Sequence, residues 1–434
     1  MKKSKKLLVI GSAALLLASV FALNACNKSE KASADGKQPV TLSFRTWNPG
    51  ADETWDKVMA AWDAKNTGIK VELQQIAYTD HVQTLKVMVA SGEGPDLFGV
   101  QTGAIMKEFQ EFTVDVAPKA AQAWGPAWES KFLPVFMDMV KGNLDSYYGL
   151  PLGAGAAGYI WANMSYFDKY GLKIPTNYNE LLAVTKTFRA NGELPLMLGA
   201  KDDWINIDTF INIAGDVNPA KLYSAFEGQT PFTDPDIVQA FTIWKSLFDN
   251  GIVQDGALGI NVYNDSTTIW ETEKLAPMIA NGSWVTGSLD TFGVGESYEV
   301  FTIDWNNDGK PAPVAPNVDV VVCLSKESKH PDEAWQFYEW FMTEGAKILI
   351  DTVFAYLPVQ SDHVVDLSAF SENAQGDINE VIRIMQDRAY GYREITYPRL
   401  KQTLADQLKA IALGESTPQR AAEIVETASK AERR

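Results

Sequence analysis

Apolar and polar positions alternate from Val40 to Trp47, the period of a half-buried strand. Trp55, Val58, Met59 and Trp62 then recur at helical spacing, and Asn66-Thr67-Gly68 ends that helix. Ile69 to Ile76 reads as a second strand. Val82, Leu85, Met88 and Val89 mark a second helix opened by Thr79 or Asp80, and Gly92-Glu93-Gly94-Pro95 turns the chain into a strand from Asp96 to Val100. This strand-helix alternation predicts an α/β fold with a parallel, doubly wound sheet. Ligands of such sheets lie beyond the carboxyl ends of the strands, which singles out the loops Trp47-Asn48, Tyr78 to His81 and Gln101-Thr102.

Leu150 to Asn163 contains the spacing G-x-G-x-x-G at Gly153, Gly155 and Gly158, but the extended run Tyr159 to Ala162 follows where a dinucleotide site needs a helix N-terminus. It reads instead as a glycine-rich connection between two lobes. Asn177 with Glu180 resembles a capping box. Leu194 to Leu198 and Lys274 to Ala280 have strand character and empty into Asp202-Asp203-Trp204 and Asn281-Gly282-Ser283-Trp284. Helices fill Asp208 to Asn250, strands return over Val300 to Leu324, a helix starts at His330-Pro331, and two helices close the chain.

The start of the chain follows none of these periods. Lys2, Lys3, Lys5 and Lys6 precede an apolar run from Leu7 to Leu23, which predicts a secretory signal peptide over residues 1–25. Leu23-Asn24-Ala25-Cys26 resembles a bacterial lipobox, although Asn24 departs from its usual small residue; the resemblance implies lipid on Cys26. Residues 26–39 are too polar to fold and form a leash. About 395 residues remain, enough for two domains. Removing the four signal lysines leaves 34 of the 38 basic residues against 55 acidic ones, which argues against nucleic acid as a partner. Thirteen tryptophans suggest that some face a ligand. Cys323, in an apolar run, reads as a buried strand residue.

Signatures of catalysis are missing. Three histidines occur without zinc spacing, and Asp304, Asn306, Asp308 and Gly309 begin a calcium-like loop whose twelfth position is Ala315, not glutamate. No P-loop or G-x-S-x-G is present. No metal or cofactor is expected. Asp202 and Asp203, adjacent on an extended chain, cannot flank one glycosidic bond, whereas one of them beside Trp204 can bind a sugar hydroxyl.

Ser91 to Leu97, Tyr148-Gly149-Leu150-Pro151, Lys274 to Met278 leading to Asn281-Gly282-Ser283-Trp284, and Leu357-Pro358-Val359 appear in the order that resembles the extracellular solute-binding proteins of ABC importers, in their sugar-binding branch. The resemblance implies the two-lobed periplasmic-binding-protein fold of type II. Each lobe would be a doubly wound sheet flanked by helices, with a ligand cleft at the hinge. It places lobe 1 at 40–152 plus 288–342 and lobe 2 at 159–281 plus 348–434, with crossings near 153–158, 282–287 and 343–347. It implies Trp284 as an aromatic that stacks on sugar, Asp203 and Trp204 as an acidic and aromatic pair, and Asp80 as an acceptor of hydroxyls. Trp47 and Asn48 lie in its polar loop, Gln101 and Thr102 follow the third strand, and the stretch holding Tyr390, Tyr392 and Tyr397 contributes another aromatic, a choice among the three that the sequence leaves open, with Tyr392 named for it. The implied function is non-enzymatic: a monomeric lipoprotein, tethered outside the cytoplasm, captures a mono- or oligosaccharide and hands it to an ABC permease. A polyol, glycerophosphodiester or peptide ligand is the alternative on the same fold, and a secreted carbohydrate-active enzyme the alternative of another class.

Overall fold

The computed structural model describes residues 40–47, 52–292, 296–352 and 356–433. The expected signal peptide, the expected leash, Cys26 and Asn48 lie outside the described residues. Among the described residues, eight strands, β1 (Val40–Thr46), β2 (Ile69–Gln75), β3 (Leu97–Val100), β4 (Leu150–Asn163), β5 (Leu196–Met197), β6 (Met278–Gly282), β7 (Tyr298–Phe301) and β8 (Ala315–Leu324), join in the order β2-β1-β3-β8-β4-β6-β5, with β7 also on β4. Pairing is parallel for β1 with β2 and β3 and for β5 with β6, and antiparallel wherever β4 or β8 takes part. The opening β-α-β-α-β is therefore present as the hydrophobic pattern predicts, with helices Asp52–Asp63 and Tyr78–Ala90 between its strands.

Two strands run through both lobes. The first half of β4 pairs with β8, from Leu150 opposite Val322 to Ala157 opposite Ala315; its second half pairs with β6 and β7. Small residues make this possible. A Cβ on Gly153 would come 2.5 Å from that of Tyr356, and Gly158, at φ +101°, faces the Asn212 side chain so closely that a Cβ there would overlap it. No helix follows the glycines until Asn163 caps Met164–Tyr170, so the G-x-G-x-x-G spacing here serves strand packing.

Two hydrophobic cores flank these strands. Leu42 to Ala154 and Val318 to Ile378 supply the first, built around Trp55, Phe44 and Phe341. Ile160 to Ala315 and Ile395 to Val425 supply the second. Tyr159, Trp161, Trp284 and Val381 fill a smaller cluster where the chain passes between them. This division corrects two of the expected crossings. After β6 the chain turns through Ser283–Val285 into helix Thr286–Phe292, and β7 returns beside β4, Val300 opposite Trp161. The crossing expected at 282–287 is thus made by β8; Phe301, Ile303, Trp305 and Ala312 belong with the second core, and Tyr298 and Val300 with the middle cluster. Residues 343–347 lie in a continuous helical stretch whose Phe341, Met342 and Ala346 are buried in the first core. The chain returns instead through helix Glu372–Arg388, with Ala374 and Ile378 in the first core and Val381 and Ile384 in the middle cluster. Periodicity reveals that such a run is buried but not which of two cores buries it.

Cys323 is fully buried on β8, as its apolar surroundings predict. His81 is also fully buried, with Nε2 2.8 Å from the Gly99 carbonyl, and burial pulls its pKa down to about 4.

Gly158→Ala should lower the urea midpoint by the equivalent of about 1–3 kcal/mol with an unchanged m-value, since φ +101° is strained for any side chain. An unchanged midpoint would show that the strand tolerates a Cβ there. His81 gives a pH test. The folded pKa lies below the unfolded value of about 6.5, so the contribution of neutral His81 is complete above pH ~6.5 and is lost as pH falls towards 4, at most about 3 kcal/mol. The stability difference between wild type and His81→Gln, followed by urea unfolding, should shrink across that window; a constant difference would contradict this assignment.

Candidate functional site

The cleft is built from strand ends. Trp47, after β1, is buried edge-on against Tyr78 at 5.1 Å between ring centroids and lies 5.3 Å from the His81 ring. Tyr78 opens the helix after β2, and its hydroxyl donates to Oε1 of Gln101, which follows β3. Thr102 exchanges side-chain hydrogen bonds with Asn317 of β8, Nδ2 to Oγ1 being 2.8 Å. All four residues therefore stand where the doubly wound sheet delivers its loops.

The second lobe supplies the opposing wall. Trp204 lies in the first turn of helix Asp203–Val217, and Trp284 follows β6; their ring centroids are 5.7 Å apart at 62°. Tyr263 stacks on Trp204 at 5.9 Å and 26°. Trp284 is fixed by its own loop, Nε1 donating to Asn281 Oδ1 at 2.9 Å, and by Gly155, where a Cβ would touch the ring at 3.4 Å. Tyr263 keeps 37% of its surface accessible although protein surrounds it closely enough that burial raises its hydroxyl pKa. Such a residue faces a cleft. Tyr78, from the other lobe, is raised by burial too, and both hydroxyls feel Arg393 and Asp319.

Arg393 lies between the walls. Its guanidinium is 4.7 Å from the Trp284 ring centre and 5.9 Å from that of Trp204. Nε and Nη2 donate to both oxygens of Asp208 at 3.1 and 2.7 Å, and Nη1 donates to Asp319 at 3.1 Å. All three are buried. Burial opposes the charge on Arg393, but Asp208 and Asp319 outweigh it and raise its pKa. The pair Tyr356 hydroxyl and Trp204 Nε1 contrasts with this saturation, since both atoms are buried without a hydrogen-bond partner.

Of the residues expected from sequence, Trp47, Gln101, Thr102, Trp204 and Trp284 come together here. Tyr392 lies farther out, on a cavity of about 570 Å³ shared with Thr102, Asn317, Val135 and Glu394, and its hydroxyl donates to Glu227 at 2.8 Å. Two expected residues stand apart from this group. The Asp203 carboxylate is 2.6 Å from Lys409 Nζ and so is held against helix Pro398–Ala412; neighbours on a helix diverge by about 100°, so Trp204 and Asp203 cannot share one face. Asp80 is exposed in the first turn of its helix, and no contact joins its carboxylate to the others. Asp202 accepts from the Val262 amide at 2.9 Å.

Asp208, Asp319, Arg393, Tyr263 and Tyr356 escaped sequence reasoning. Asp319 carried a signal: it is the only charged residue from Val314 to Leu324. Arg45, on β1, is committed to Gln74 and Thr84 in the first lobe. Among the described residues no group of three or more His, Cys, Asp or Glu could hold a metal ion.

The chain is 26% identical over 354 residues to a multiple sugar-binding protein of Streptococcus mutans, covering 80% of this chain and 79% of that one. It is 21% identical over 331 residues to an ABC transporter extracellular-binding protein of Pyrococcus horikoshii, covering 74% and 72%. Its fold matches that of an ABC substrate-binding protein from Listeria monocytogenes solved with cycloalternan, at a TM-score of 0.75 and 17% identity over 91% of this chain and 99% of that one. A chitin oligosaccharide binding protein matches at 0.72, with 20% identity over 91% and 98%. The profile described as bacterial extracellular solute-binding protein matches residues 47–348, more than half of a chain whose two lobes and interlobe cleft have just been described, and the chain belongs to that family.

Proposed function

We propose that this protein captures a neutral carbohydrate between its lobes and delivers it to an ABC permease, working as a monomer tethered to the membrane by lipid on Cys26. The observation that carries this reading is the neutralised arginine in an aromatic cleft. Sugar C–H faces pack on rings such as Trp204, Trp284 and Trp47, while their hydroxyls need fixed donors and acceptors. Tyr356 and Trp204 offer donors that the protein leaves unpaired. An anionic ligand needs an uncommitted cation, and Arg393 already faces two carboxylates. Those same bonds support binding over glycoside hydrolysis, because neither Asp208 nor Asp319 is free to act as acid or nucleophile. The sugar-binding names of the relatives agree with this reading. Binding energy that favours the closed cleft would drive closure, with Gln101, Thr102 and Tyr392 joining the contacts.

Tryptophan fluorescence titrations with neutral mono- and oligosaccharides should saturate, and the matching uronates should bind at least ~10-fold more weakly. Trp284→Ala should weaken the neutral sugar by about tenfold or more, roughly 1.4 kcal/mol, with its circular dichroism unchanged. Saturation by uronates alone, or turnover of a glycan, would overturn the proposal. In cells, Cys26→Ser should move the protein from the membrane fraction to the soluble one; full retention on the membrane would rule out the lipid tether.

A further inference from the structure

Helix Glu372–Arg388 passes across β7 and leaves a niche of about 400 Å³ that shares no residue with the sugar cleft. Asp377 and Tyr298 line it, each only 8% exposed. Among the described residues neither the Asp377 carboxylate nor the Tyr298 hydroxyl has a hydrogen-bond partner, and Asp377 has no counter-ion. Glu299 of β7 and Glu372 at the start of the helix add two unpaired carboxylates to the rim. Glu380 also lines the niche, but Arg383 grips both its oxygens at 2.6 and 2.7 Å.

An ionised carboxylate buried without a partner costs several kcal/mol, and proteins pair it or leave it protonated. Burial, with Glu299 beside it, raises the Asp377 pKa to about 7. The missing partner has a definable chemistry. The carboxylates are not close enough in any group of three to hold a metal ion, and the space exceeds what a bare cation fills. A planar guanidinium or an ammonium on a carbon chain could donate to Asp377 at the floor and meet Glu299 and Glu372 at the rim.

We propose that this niche binds an organic cation through a guanidinium or primary ammonium group seated on Asp377 and Tyr298. The occupant bridges β7, which pairs within the second lobe, and the helix that carries the chain between the two cores. The group can belong to a free polyamine-like molecule or to an exposed arginine or lysine.

Isothermal titration of the full chain with agmatine at pH 8 and low salt tests this. Saturable binding that weakens at least tenfold in Asp377→Asn and severalfold in Tyr298→Phe is expected, with Glu93→Gln, an exposed carboxylate elsewhere, left at wild-type affinity. Because the chain is acidic throughout, with a formal net charge of −17, an equal loss in Glu93→Gln would mean diffuse attraction and would overturn the site. So would unaltered binding in Asp377→Asn, or no binding to wild type at 10 mM. Nα-acetyl-arginine amide in parallel separates the sources: binding equal to agmatine assigns a side chain, and binding to agmatine alone assigns a free diamine-like ligand. Should Asp377→Asn fail to fold, Tyr298→Phe and Glu299→Gln carry the same test.

Discussion

The contact between Arg393 and the two carboxylates of Asp208 and Asp319 is the constraint that the cleft depends on. Each of the three groups is buried, so each would be costly alone, and removing one partner of such a set typically costs about 3–5 kcal/mol because the others keep their charge in a poorly solvating place. Satisfying all three requires helix Asp203–Val217, β8 and the tail near residue 393 to meet at one point. Once they meet, the guanidinium face is presented to Trp284 and Trp204, and the two rings that form the wall of the second lobe are held by the same cation. Asp319 also faces Gln101 of the first lobe, so the charge cluster reaches both sides of the cleft.

That cluster can span the lobes because β4 and β8 do. A continuous pair of strands would resist bending if its ladder were regular. The irregularities of register fall between Pro151 and Tyr159, where the strand leaves one lobe for the other. Bulges weaken pairing locally and increase twist, so relative motion of the lobes would disturb the fewest hydrogen bonds there. Gly153, Gly155 and Gly158 occupy the same stretch and let Tyr356, Trp284 and Asn212 approach the backbone. The residues that make the connection pliable are those that bring the cleft's aromatic groups close.

Local patterns made a large part of this legible in the sequence. Alternation and helical spacing from Val40 to Val100 specify β-α-β-α-β, and the rule that loops at strand ends carry ligands brings Trp47, Gln101 and Thr102 forward without further information. Trp204 and Trp284 follow from resemblance to a family. Arg393 could not be found this way, since its role depends on partners 185 and 74 residues distant. The stretch before Trp204 reads as extended where a helix begins, and that one change in local geometry turns the Asp203 carboxylate towards Lys409. The crossings were misplaced for a related reason: the apolar runs at 298–315 and 346–378 fit either core equally well.

Composition alone treats every acidic residue as one contribution to net charge, but the structure separates them by what lies opposite. Asp208 and Asp319 point at a cation, and so an acidic chain can line a binding cleft with carboxylates without repelling a neutral ligand. Asp203 and Glu380 are answered by Lys409 and Arg383 at the surface, where such pairs contribute little. Asp377 has the burial of the first group without the partner of either. Beside the matched carboxylates of the cleft, an unmatched one at the edge of an accessible niche is a place where an external cation would change the local energetics.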